Sequence, residues 1–310
     1  MDPWGPADIA VITHAHADHA RPGAGSYLCA AGCVPLLRRR LGPEATVRGI
    51  PHGERVTLGQ TQVSLHPAGH VLGSSQVRIE EGGRIWVVSG DYKRAPDPTC
   101  APFEPVPCDV FVTEATFALP IYRWDEPAAV AAEIHAWWRS NPERPSVLFA
   151  YALGKAQRVL AEIGFLTDRP VLTHGAVEAF VRLYREAGIP MLPTEPLAEA
   201  PKRRDLAGAL VLAPPSARAT PWMRRFAHAE TALASGWMRV RGPRRRQSYD
   251  RGFALSDHAD WPALLRTIEE TGARRVLATH GYAEELARFL RESGLEAEAL
   301  VTSFDGEADA

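Results

Sequence analysis

The chain has 310 residues, of which 45% are hydrophobic, 23% charged and 8% aromatic, a composition that excludes disordered, collagen-like and coiled-coil chains. Its 35 basic residues nearly balance 37 acidic ones for a formal charge of −2, so net charge by itself announces no polyanionic partner. One large domain or two unequal ones both fit, because a single core stops growing near roughly 250–300 residues.

Short β-branched runs dominate the first 117 residues. Ile9-Ala10-Val11-Ile12-Thr13, Ser26-Tyr27-Leu28 and Thr61-Gln62-Val63-Ser64-Leu65 read as strands, and Gln76 to Ile79 joins Ile85 to Ser89 as a hairpin around Gly82-Gly83. Beyond Pro127 the rhythm changes. Helical patterns (Ala128 to Trp138, Lys155 to Ile163, Glu178 to Ala187) alternate with short strands (Val147 to Phe149, Val171 to Thr173, Ala209 to Leu212), which predicts βαβ units around a parallel sheet. The polar, Pro-containing stretch from Glu195 to Arg204 reads as a surface connection. From Phe253 the chain returns to a strand, a helix (Trp261 to Thr271), a strand (Arg275 to Ala278) and a helix (Ala283 to Glu292), a part expected to rejoin the first.

Only Lys93, Lys155 and Lys202 are lysines. Arginine suits forked phosphate contacts, and GC-rich coding gives the same bias, so both readings stay open. Cys29, Cys33, Cys100 and Cys108 make no disulfide scaffold, and Cys29 with Cys33 lacks a second pair at metal spacing, which favours buried thiols. With neither a leader-like N-terminus nor an apolar run near ~18 residues, a cytoplasmic chain without a membrane partner is expected.

The strongest signal is Thr13-His14-Ala15-His16-Ala17-Asp18-His19, directly after an apolar strand. His-x-His-x-Asp-His arises by chance in roughly six of ten thousand sequences of this composition, so it is treated as a site. Residues two apart on an extended segment point to one side: His14 and His16 can share one metal, while Asp18 and His19, past a turn, can reach a second. His70 in Pro67-Ala68-Gly69-His70, Asp91 in Ser89-Gly90-Asp91 and His280 in Thr279-His280-Gly281 each stand at a strand exit. Singly, each is more often a surface or core residue; together they read as further ligands.

These residues, in this order, resemble the metallo-β-lactamase fold. Within it the chain resembles the β-CASP nucleases, through Val112-Thr113-Glu114-Ala115-Thr116-Phe117, through Tyr151-Ala152-Leu153-Gly154-Lys155-Ala156-Gln157-Arg158, and through Leu255-Ser256-Asp257-His258-Ala259-Asp260. The nearest likeness is to the bacterial ligase-associated DNA exonucleases. The resemblance implies an α/β protein: a metallo-β-lactamase αββα sandwich over 1–118 and 253–310, interrupted by a β-CASP α/β domain over 119–252. It implies one metal on His14, His16, His70 and Asp91 and another on Asp18, His19, Asp91 and His280, with Glu114 and His258 beside the metals. Such proteins usually carry residues ahead of the Asp-Pro-Trp segment, so either the start is misplaced or a first hairpin is absent; Asp2 matches the acid that braces the metal loop.

His-plus-carboxylate ligands suit two divalent ions, zinc first and manganese as the alternative. The chemistry expected is phosphodiester hydrolysis, with Asp18 at the metals and His258, oriented by Glu114, as general acid. Gly154 and Lys155 open a helix and are candidates for gripping a backbone phosphate, although an ordinary strand-to-helix turn looks the same. From Arg218 to Arg251, nine arginines including Arg244, Arg245 and Arg246 interleave with Trp222, Phe226, Trp237 and Tyr249. That stretch reads either as one wall of a nucleic-acid channel or as a solvated face over core aromatics.

DNA is the expected substrate. RNA is the alternative, since His280 fills a position that RNA-processing relatives occupy with histidine. A catalytically silent nucleic-acid scaffold and a small-molecule hydrolase are the other classes considered. The resemblance also implies partnership with an ATP-dependent DNA ligase and a helicase.

Overall fold

The computed structural model describes residues 1–198, 206–226, 228–240 and 249–301. The described residues divide into two units, one of Met1–Arg123 with 258–301, the other within Trp124–Asp257. Sequence rhythm sets these changeovers at 118/119 and 252/253. Arg244, Arg245 and Arg246 lie outside the described residues.

The first unit opens with β1 (Ala7–Val11), β2 (Ala24–Ala30), α1 (Val34–Leu41) and β3 (Val47–Ile50), the strands forming a parallel sheet in the order β1-β2-β3. Cys29 and Cys33 are buried there, and the neighbouring Cys29 thiol, with burial second, pushes the Cys33 thiol up. The antiparallel strands β4 (Arg55–Leu58), β5 (Thr61–Pro67), β6 (Ser75–Glu81) and β7 (Arg84–Val88) follow, and then β8 (Val110–Glu114), parallel to β7. Gly82 and Gly83 turn the β6–β7 hairpin with φ of 56° and 75°, left-handed values that a two-residue turn of this kind requires.

The second unit contains α2 (Pro127–Arg139), β9 (Ser146–Phe149), α3 (Lys155–Ile163), β10 (Val171–Thr173), α4 (Gly175–Glu186), β11 (Thr194–Pro196), β12 (Leu210–Ala213), β13 (Glu230–Ala234) and β14 (Arg251–Phe253). Its six strands run parallel in the order β11-β10-β12-β9-β13-β14, the arrangement that alternating short strands and helices predicts. All four residues of β9 and of β12 are buried, as near-continuous apolar runs in parallel sheets should be. Two boundaries differ from expectation. The α4 helix starts at Gly175, not Glu178, because the His174 side chain accepts a hydrogen bond from Ala176 N at 3.1 Å and caps it. Glu195 and Pro196 belong to an edge strand, where a proline costs no ladder bond, and not to a surface connection.

A buried ion cluster closes this unit. Arg158, on α3, donates to Glu162 Oε1 at 2.9 Å, to Ser256 O at 2.6 Å and to Asp257 Oδ1 at 3.2 Å. Removing one partner strands the others in a low dielectric, so Arg158→Ala is expected to cost about 3–5 kcal/mol of stability. Thermal unfolding of that variant checks it; an unchanged Tm would mean the cluster is relaxed by solvent.

The chain then re-enters the first unit through α5 (Trp261–Thr271), β15 (Arg275–Thr279), α6 (Ala283–Glu292) and β16 (Glu296–Ala299). The α5 helix begins where Asp260 Oδ1 accepts from Ala263 N at 3.0 Å. Strand β15 pairs in parallel with β8 and opposes Thr279 to Glu114, completing a seven-stranded sheet in the order β16-β15-β8-β7-β6-β5-β4. Val87, Phe111, Val276 and Ala278 of this sheet bury against Trp261, Leu264, Ile268, Leu286 and Leu290 of α5 and α6. Val56, Val63, Leu65 and Val77 instead share a cluster with Val11, Leu28 and Ile50 of the three-stranded sheet. The architecture is therefore a mixed α/β one, built from a parallel and a mixed sheet in the first unit and a parallel sheet in the second.

Candidate metal centre

Strands β5, β7, β8 and β15 run in one direction, so the residues that follow them emerge at one edge of the seven-stranded sheet. His70, Asp91, Glu114 and His280 all sit at those ends. The His-x-His-x-Asp-His segment follows β1, tied down by Ile12 N donating to Leu28 O (2.8 Å) and Ser75 N to Thr13 O (2.8 Å). His16 O then accepts from Ala20 N at 2.9 Å, turning the chain so that Asp18 and His19 come round beside His14.

Among the described residues the donors fall into three groups joined by Asp91: His14, His16, His70 and Asp91; His19, Asp91 and His280; and Asp91, Glu114 and His258. In the first, His16 Nδ1 stands 3.1 Å from His14 Nε2 and 3.2 Å from His70 Nε2, and Asp91 Oδ2 is 3.4 Å from His14 Nε2. Four-coordinate zinc with Zn–N of about 2.0–2.1 Å sets nitrogen separations near ~3.3 Å, so this donor set fits such an ion. In the second, His19 Nε2 lies 3.4 Å from Asp91 Oδ2, and His280 Nδ1 lies 3.8 Å from Asp91 Oδ1. Asp18 Oδ2 is 3.7 Å from His19 Nε2 but stands outside the three close groups.

Outer partners fix which ring nitrogen faces inward. Asp2, a pure acceptor, receives Thr13 N (2.9 Å), Thr13 Oγ1 (2.7 Å) and His19 Nδ1 (2.9 Å). Since the Thr13 hydroxyl gives its proton to Asp2, its oxygen accepts from His14 Nδ1 at 3.1 Å. Both His14 and His19 thus turn Nε2 toward Asp91, the ring atom a metal ion would take. Burial pushes His14 well below the ordinary histidine range, with the neighbouring imidazoles adding to it, so its lone pair is available. Burial also opposes charge on His19, yet Asp91 and Asp2 hold it well above that range. At Asp91, burial is outweighed chiefly by His19, which keeps the carboxyl well below the usual carboxylate range.

His258 Nδ1 donates to Glu114 Oε2 at 2.8 Å, and Glu114 Oε1 accepts from Tyr92 N at 2.7 Å. Glu114 is 1% exposed and His258 6%, so this pair is a shielded carboxylate–imidazole unit beside the first group. His280 holds φ at 63°, a left-handed conformation uncommon outside glycine. It is held by Ala115 N donating to Thr279 O (2.7 Å) and Tyr282 N to Ala115 O (2.8 Å), and strain of this kind concentrates at functional sites.

Lys93 braces the His70 turn. It forms a buried ion pair with Asp97 and approaches His70 O at 3.5 Å. Its backbone leaves no room beside Gly69, whose φ is +73° and where an added Cβ would meet Lys93 O at 2.3 Å. Gly69→Ala is therefore expected to cost about 2 kcal/mol or more and to lower metal content in step. Elemental analysis beside a melting curve checks this; full metal occupancy at an unchanged Tm would mean the turn adapts.

The sequence singles out neither the Thr13 hydroxyl relay nor the Lys93–Asp97 brace. Thr13 meets Asp2 11 residues away and Lys93 meets His70 23 residues away, and Lys93 and Asp97, four apart, lie in no helix whose pattern would mark them. Gly154 and Lys155 lie in the second unit, at the start of α3. Gly154 N donates to Gln157 Oε1 (2.7 Å), and the buried Lys155 ammonium is 3.5 Å from Asp257 Oδ2. A phosphate reaching this turn would share those partners.

No family model matches the chain. A protein of Opitutus terrae (strain DSM 11246 / JCM 15787 / PB90-1) named a probable DNA ligase is 34% identical over 309 residues, covering 97% of this chain. The chain spans 29% of that relative's length. A protein of unknown function from Enterococcus faecalis V583 superposes with a TM-score of 0.63 at 13% identity, over 95% of this chain and 79% of its own; that likeness concerns the fold alone. Among the described residues no helix is long and apolar enough to cross a membrane.

Proposed function

We propose that the chain is a two-metal phosphodiesterase of the metallo-β-lactamase, β-CASP type that acts on DNA as an exonuclease. The observation that carries the reading is the convergence of three donor groups on the single carboxylate of Asp91. The motif order supports the family, and the name of the Opitutus relative, a longer protein, supports DNA as substrate and a DNA ligase as a working partner. In this reading the first unit is the lactamase-type domain and the second the β-CASP domain.

His14, His16, His70 and Asp91 would hold one ion, and His19, His280, Asp91 and Asp18 the other. Zinc, or manganese in its place, would supply hydroxide at neutral pH and neutralise charge on the phosphoryl oxygens. The chain's own residues do the rest. Asp2 and Thr13 hold Nδ1 of His19 and His14 and so turn Nε2 of both rings inward, where a bound cation would take the place of a proton. Glu114 Oε2 holds the proton on His258 Nδ1, leaving Nε2 to deliver a proton to the departing oxygen. RNA is the second reading, favoured by His280 beside Asp91.

Digestion of end-labelled single-stranded DNA and RNA, with and without chelator, tests this. Chelator-sensitive shortening of DNA from an end is expected. A protein that binds two equivalents of metal and leaves every strand intact would overturn the nuclease reading.

A further inference from the structure

The second unit holds a cavity of about 580 Å³ that the metal centre does not explain. Its walls come from the loops after three adjacent strands: Tyr151 after β9, Ser216 and Arg218 after β12, and Ser235 and Trp237 after β13, with Tyr249 ahead of β14. Central strands β9 and β13 are neighbours, yet the chain leaves β9 toward β10 on one side and β13 toward β14 on the other. Open parallel sheets bind ligands at such a switch point, beyond the carboxyl ends of the strands.

The lining has a definite chemistry. Trp237 and Tyr249 are only half-buried, and the Arg218 guanidinium lies over the Tyr249 ring, 4.1 Å from its centroid. Trp222 and Phe226, from the same arginine-rich stretch, instead stack on each other at 4.7 Å and join the core. Trp237 and Tyr249 also lean on this core, Tyr249 at 5.4 Å from the Phe149 ring, but unlike Trp222 and Phe226 they line the cavity. Among the described residues no carboxylate lines the cavity. Aromatic faces, one guanidinium and the hydroxyls of Ser216 and Ser235 beside those of Tyr151 and Tyr249, with no acid among the described residues, match a heteroaromatic base carrying a phosphate. The volume lies within the roughly 300–1,000 Å³ of small-molecule pockets.

We infer that this cavity seats one nucleotide of a DNA single strand, its base stacked against Trp237 and Tyr249 and its phosphate on Arg218. The inference deepens the proposed function and rests on that reading for the strand to which the nucleotide belongs. Binding is read by fluorescence anisotropy of a labelled dT12 with phosphorothioate linkages on the metal-loaded full chain, and hydrolysis of ordinary dT12 is measured in parallel. Trp237→Ala and Arg218→Gln should each raise Kd about tenfold, and Trp237→Phe far less, since a ring is retained. Thymidine 5′-monophosphate should displace the strand at concentrations where inorganic phosphate does not.

Kd values within twofold of the parent for both Trp237→Ala and Arg218→Gln would overturn the pocket, as would equal displacement by phosphate alone. Arg218→Gln opens no core cavity, so the test survives a misfolded Trp237 variant. Strand binding lost in these variants with no hydrolysis by the parent would refute the nuclease reading and keep the pocket. Normal hydrolysis with unmoved Kd would do the reverse.

Discussion

If the proposed two-metal reading holds, Asp91→Asn is expected to strip the protein of both ions and to lower hydrolysis on the order of 10³-fold or more. The substitution keeps size and shape, so the effect is chemical. Asp91 is the single residue shared by all three donor groups, with Oδ2 facing His14 and His19 and Oδ1 facing His280. An amide supplies one neutral oxygen in place of two anionic ones and cannot serve two cations together. Elemental analysis with circular dichroism separates this from misfolding. Two equivalents of metal in a folded, inactive variant would show that Asp91 bridges nothing. Full activity would remove the site altogether.

The gathering of His14, His16 and His19 was legible because His14 to His19 are contiguous, and a strand followed by a turn is enough to aim them. The strand-end positions of His70, Asp91 and His280 followed from the apolar runs before them. What joined them was less readable: that β8 lies between β7 and β15 is set by packing of Phe111 and Val276 against α5 and α6, and no local pattern encodes it. Helices Lys155–Ile163, Trp261–Thr271 and Ala283–Glu292 appear with the expected bounds because apolar spacing and end residues agree there. Helix α1 and strands β3 and β4 escaped, being short segments carrying Arg38 to Arg40, Arg48 and Arg55, whose polarity hides the few buried positions. Lys155 shows the limit from another side. Its place after a glycine suggested a phosphate grip, but its pairing with Asp257 comes from residues 102 positions apart, which sequence spacing does not reveal.

On the same two-metal reading, His258→Ala should keep both ions and still lose on the order of 10²–10⁴ in rate. The geometry offers two roles for this ring, since its donors also fall in a group with Asp91 and Glu114. As a ligand it would stand like His14 and His19, whose outer nitrogens lean on Thr13 and Asp2. As a proton donor it needs a carboxylate on one nitrogen and an unobstructed second nitrogen. Glu114 Oε2 at 2.8 Å on Nδ1 meets the first need, and the Tyr92 amide on Oε1 keeps Glu114 from turning away. The first group already holds three imidazoles and a carboxylate, which fills a tetrahedral ion without His258. A substrate whose leaving group needs no proton, such as a p-nitrophenyl ester of thymidine 5′-monophosphate, should recover much of the lost rate in His258→Ala, and Glu114→Gln should fall between the parent and that variant. Loss of one metal equivalent from purified His258→Ala, with no recovery on the activated ester, would make His258 a ligand and leave the leaving oxygen to draw its proton from solvent.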